Sequence, residues 1–111
     1  MSRRDVQLSV TLPTGMHEEA RKLVRARREA GRGGVTIGDI YTEAIDALIA
    51  RIATGEPIVF ASHPRGGVTQ HSIRVHASAA RKCAQCLDQT TQSSFVATAM
   101  RHHYKKESTL V

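Results

Sequence analysis

The chain has no tryptophan, two phenylalanines and two tyrosines, so aromatic residues make up 4% of its 111 positions. A core without large rings must rest on Ile, Leu, Val, Ala and Met, which suits packed helices better than a β-sandwich. Two cysteines are too few for the disulfide framework of a small secreted scaffold. No apolar run approaches the ~20 residues that cross a bilayer, and Met1-Ser2-Arg3-Arg4-Asp5 lacks the apolar core of a signal peptide. Gly31-Arg32-Gly33-Gly34 is too short for a phosphate-binding loop and is not followed by its lysine. No nucleophile stands with a visible base, and no paired acids lie outside helix-surface positions. The expectation is a soluble cytoplasmic protein that is not an enzyme and holds no cofactor. Acids are also scarce, with ten Asp and Glu against sixteen Lys and Arg, a formal charge of +6 and a pI of about 10.0. That balance suits a surface facing a polyanion.

What the chain does contain is one pattern written twice. Leu8, Val10 and Leu12 alternate with Gln7, Ser9 and Thr11, and Ile73 and Val75 alternate with Ser72, Arg74 and His76. Side chains on a strand repeat every two residues, so each segment has one apolar and one polar face. An offset of 63 places Leu12 on Val75, Ala20 on Cys83, Leu23 on Cys86 and Val24 on Leu87. An offset of 55 places Thr36 on Thr91, Ile40 on Phe95, Tyr41 on Val96, Ala44 on Ala99 and Ile45 on Met100. Internal repetition of this kind sets the architecture. Strands this short cannot persist alone, so the two are expected to pair with each other over four helices.

The first helix is expected from near Thr14 to Arg28, with Glu18 and Glu19 at its positive end and Met16, Ala20, Leu23 and Val24 as its apolar stripe. The glycines at 31, 33 and 34 stop it. Thr36 opens the second helix, and Asp39 three residues on makes a capping-box variant. Ile37, Ile40, Tyr41, Ala44, Ile45, Leu48, Ile49 and Ile52 give that helix a wide apolar face, marking it as the central core helix. Residues 53–68 form a connector that can span ~50 Å extended, and Ile58, Val59 and Phe60 are expected to pack on the body or add a short strand. The second unit repeats the scheme with helices over about Ser78–Asp88 and Thr91–Lys106. The division is a first unit at 1–52, the connector at 53–68, a second unit at 69–106 and a tail at 107–111. His71 stands where an apolar residue belongs, so strand pairing there is expected to be imperfect.

The segments VQLSVTLP and VTIGDIYTEAIDALIARI, then HSIRVHAS and TTQSSFVATAMRHHY, resemble the ribbon-helix-helix family of DNA-binding proteins, the Arc and MetJ class. The resemblance covers about three-quarters of the chain and rests on order, spacing and alternation. Its tandem form looks like that of accessory proteins of conjugative DNA transfer. It implies a mainly α fold with a two-stranded antiparallel β-ribbon, a tandem pseudodimer in one chain. It further implies that the ribbon's outward residues Gln7, Ser9, Thr11, Gln70, Ser72 and Arg74 read base edges in the major groove of double-stranded DNA. Gln suits adenine, Arg suits guanine, and Ser and Thr adapt to either. Because the strands differ, a perfect palindrome is not required, and Arg74 would read a guanine that the first half cannot. Phosphate would be held by the second-helix N-termini at Thr36, Ile37, Thr91, Gln92 and Ser93, and by Arg3 and Arg4. Asp39 should make the first of these anchors the weaker. On this resemblance the chain is expected to be a bacterial plasmid or nucleoid protein, a relaxosome accessory that meets a relaxase and binds beside further copies of itself. A transcriptional repressor is the alternative, and an antitoxin-like protein-interaction module is the alternative outside DNA binding.

Cys83 and Cys86 have zinc-type spacing, with His102 and His103 following. Both cysteines align with the apolar Ala20 and Leu23, however, where a free thiol serves as a small apolar side chain. No metal site is therefore expected.

Overall fold

The two alternating segments form strands and pair with each other. In the computed structural model, which describes residues 5–31, 33–60, 68–87 and 90–104, the order is β1 (Asp5–Pro13), α1 (Met16–Glu29), α2 (Ile37–Ala53), β2 (Val68–His76), α3 (Ala77–Gln85) and α4 (Gln92–Tyr104). Arg3, Arg4, Lys105, Lys106 and the tail 107–111 lie outside the described residues. β1 and β2 make one two-stranded antiparallel sheet in which Val6 faces Val75, Leu8 faces Ile73 and Val10 faces His71.

The pairing runs unbroken through His71, contrary to the imperfection expected there. The reason lies in α1. The His71 ring stacks on that of His17, with centroids 4.0 Å apart and planes inclined by 13°, and His17 Nδ1 lies 2.8 Å from the Tyr41 hydroxyl. Burial, helped by His71 and Arg21, lowers the pKa of His17 and favours the neutral ring. The imidazole thus fills the role of the missing apolar side chain.

The inward row Leu8, Val10, Leu12, Ile73 and Val75 is buried on α2 and α4, each such side chain worth roughly 1.5–3 kcal/mol. α2 contributes Ile40, Tyr41, Ala44, Ile45 and Leu48, as its periodicity predicts. α4 shares the central position, being buried continuously from Ser94 to Met100. Polar groups inside such a helix must be satisfied there, and the Thr98 hydroxyl donates to the Ser94 carbonyl at 2.7 Å. Tyr104 at the end of α4 donates to the Ile40 carbonyl at 3.0 Å, tying α4 to α2.

Gly15 precedes α1 with φ of 99°, a left-handed turn that glycine adopts without strain. Thr36 caps α2 in the expected box: Asp39 N donates to Thr36 Oγ1 at 3.2 Å and Thr36 N donates to Asp39 Oδ2 at 3.0 Å. α3 ends at Gln85, three residues before the expected Asp88, because the Cys86 and Leu87 amides turn back on the Cys83 and Ala84 carbonyls. In the connector, Ile58 and Phe60 pack on the body, with Phe60 stacked 6.0 Å from Phe95, and form no strand. No described helix is long and apolar enough to cross a membrane.

One polar clamp joins three helices. Arg27 of α1 donates to both carboxylate oxygens of Glu43 on α2, at 2.6 and 3.1 Å, and His103 Nε2 of α4 lies 2.8 Å from Glu43 Oε1. The Arg27 bonds above all hold the Glu43 carboxyl down at about 2. A lowered folded pKa gives stability that is full above the unfolded value of about 4.5 and is lost as pH falls toward 2. The carboxylate is 40% exposed, so screening limits its worth to on the order of 1 kcal/mol. Thermal melts should show the gap between the native chain and Glu43→Gln closing between pH 5 and 2. A constant gap across that range would discard the clamp.

Candidate nucleic-acid interface

With one face of the ribbon buried, period-two geometry sends the alternate side chains outward. The register collects all six sequence-predicted reading residues on that single face as three cross-strand pairs: Gln7 with Arg74, Ser9 with Ser72, and Thr11 with Gln70. Five are exposed and Thr11 partly so. None of the six side chains makes a hydrogen bond or ion pair among the described residues. The face therefore presents amide, hydroxyl and guanidinium groups with their bonding capacity unspent.

The long edges of the ribbon meet α2 and α4. At the outer edge of β1, Gln92 Nε2 donates to the Ser9 carbonyl at 2.9 Å, and the Thr11 amide donates to Ser93 Oγ at 2.8 Å. At the outer edge of β2, the His76 amide donates to Thr42 Oγ1 at 3.2 Å. Gly38 lies so close there that a Cβ would collide with the Arg74 carbonyl oxygen. Edge groups left open invite another strand; here α2 and α4 take the Ser9 carbonyl and the Thr11 and His76 amides.

These contacts refine the anchors expected from the sequence. Thr36 and Thr91 are spent on capping, the latter accepting from Ser94 N at 3.1 Å. The side chains of Gln92 and Ser93 hold β1, so the donors that α4 can offer an anion are backbone amides of its first turn. The two helix starts differ in charge. Asp39 sits in the first turn of α2, 3.7 Å from His76 Nε2, whereas the first turn of α4 contains no acid. The work of Gln92, Ser93, Gly38 and Thr42 on the strands was not legible in the sequence, since their partners lie 34 or more positions away.

The zinc-spaced residues do not converge. Cys83 is buried, and burial with Cys86 nearby pushes its thiol up to about 11. His103 is engaged with Glu43, and among the described residues no three His, Cys, Asp or Glu side chains gather as metal ligands. A shallow depression of about 420 Å³ beside the ribbon is lined by Arg27, Asp39, Thr42, Glu43, Asp46 and His76. Its acids Glu43 and Asp39 are engaged in the clamp and the capping box. No protein-family model, curated protein or solved structure matches the chain significantly.

Proposed function

We propose that this chain binds double-stranded DNA by laying the β1–β2 ribbon in the major groove, as a tandem ribbon-helix-helix pseudodimer within one polypeptide. The observation that carries the reading is the outward face: six polar side chains in three aligned pairs, none with a partner among the described residues, on a ribbon whose other face is buried. A two-stranded ribbon fits a groove about 12 Å wide, and these side-chain types match the donors and acceptors of base edges. The offset of 63 between the halves equals the separation of Ser9 and Ser72, which face each other at the middle of the ladder. A pseudo-twofold axis through that pair follows naturally from a duplicated unit. Backbone amides at Ile37 and at Thr91–Ser93, with Arg3 and Arg4, supply phosphate contacts, the Thr36 amide being taken by Asp39, and the net charge of +6 supplies long-range attraction.

The biological role that suits the tandem form is a plasmid DNA-transfer accessory working beside a relaxase, and promoter repression is the second reading. Footprinting on the DNA flanking its own gene tests both. Protection beside a nicking site supports transfer and protection over a promoter supports repression. Absence of protection, with no duplex retarded in a gel at low salt, would overturn the DNA-binding reading.

A further inference from the structure

Read from N- to C-terminus, the outward residues are Gln7, Ser9 and Thr11 on β1 and Gln70, Ser72 and Arg74 on β2. In an antiparallel pair, half a turn about the Ser9–Ser72 position carries Gln7 onto Gln70 and Thr11 onto Arg74. Two of the three positions hold the same residue on both strands. Across these three central positions the outward face is therefore twofold symmetric in its chemistry except at one, where one strand has threonine and the other arginine; the ribbon ends differ too, Asp5 answering Val68 and Pro13 answering His76.

We infer that the Thr11–Arg74 difference breaks the palindrome at one base pair among those read by the three central pairs, with a guanine under Arg74 and no guanine requirement under Thr11. The inference rests on the DNA-binding reading above and sharpens it. A guanidinium can grip guanine O6 and N7 with two bonds, while a threonine offers one hydroxyl and a methyl and accepts several base pairs. Gln7 and Gln70 ask the same of both halves, an adenine by preference, and the serine pair at the centre is small and adaptable. The odd position is not neutralised by the protein. Asp5 and His76 face each other one step along the ribbon and Asp39 lies close to His76, yet Arg74 makes no ion pair among the described residues. The Gln7–Arg74 and Thr11–Gln70 pairs lie four residues apart along the ribbon. At ~3.4 Å per residue this is about 14 Å, or about four base pairs along the groove.

The test is selection of bound sites from a pool of random duplexes by the full chain, by Thr11→Arg and by Arg74→Thr. The substituted side chains point outward, and the bond of the Thr11 amide to Ser93 uses backbone, so both variants should keep the helical circular dichroism of the parent. The native chain should select a consensus whose halves differ at one of the positions read by the three central pairs, guanine occurring there in one half. Thr11→Arg should select guanine in both halves and Arg74→Thr in neither. On isolated duplexes, replacing the guanine should weaken the native chain by roughly 10- to 100-fold and leave Arg74→Thr nearly unchanged. A perfect palindrome selected by the native chain, or one consensus shared by all three proteins, overturns the inference and leaves the ribbon reading standing. No enrichment by any of the three folded proteins overturns both.

Discussion

Replacing Gly38 by valine should lower stability by about 3 kcal/mol, visible as a fall of roughly 10–20 °C in Tm. Gly38 sits in the first turn of α2, where residues other than glycine are ordinarily the better helix formers by up to ~1 kcal/mol. Here the tertiary contact reverses that preference, because any Cβ meets the Arg74 carbonyl oxygen of β2. That atom belongs to a strand held by its own ladder, so it cannot swing aside as a side-chain tip would. Either β2 shifts, disturbing the Gln7–Arg74 pair, or α2 tilts away from the buried Ile73 and Val75. Gly34→Val is the control, since nothing lies within 4 Å of a Cβ at that glycine. Thermal melts in which the two variants behave alike would remove Gly38 from the account of how α2 seats on the ribbon.

Ser72→Glu should abolish duplex binding while leaving the fold intact, a loss on the order of 100-fold or more. Ser72 is exposed at the centre of the outward face, opposite the uncharged Ser9, so the new carboxylate meets no like charge across the ladder. In the proposed complex it would face phosphates and the acceptor-rich floor of the major groove, and such like-charge juxtaposition costs several kcal/mol. Ala50→Glu adds the same charge on an exposed position near the far end of α2 and should reduce binding only slightly, through net charge. Gel retardation with equal affinity for the two variants would remove the ribbon from the interface. Equal melting temperatures for Ser72→Glu and the native chain are needed for that comparison to bear on DNA rather than on folding.

Much of this was legible in local patterns. Alternation at Leu8–Leu12 and Ile73–Val75 gave both strands and the faces they bury, because a strand's side-chain period holds whatever the strand later pairs with. Thr36 with Asp39 marked the start of α2, because a capping box closes within four residues. The matched spacing of the halves marked Ser9 and Ser72 as counterparts, and the register sets them face to face. Less legible were the places where a residue answers a partner far along the chain. His71 looked like a flaw in the second strand until His17 supplied the ring it stacks on, 54 positions earlier. Ser93 and Gln92 looked like phosphate ligands, yet their side chains hold the edge of β1.

By itself, then, the amino-acid order determined the elements, their buried faces and the six residues that share an outward one, since strand and helix periods and caps act over a few residues. The tertiary structure alone decided which helix meets which ribbon edge, why residue 38 carries no side chain, and how Arg27, Glu43 and His103 lock three helices together. Those contacts join residues 16 to 83 positions apart, and their formation depends on the path of the folded backbone, which no local pattern encodes.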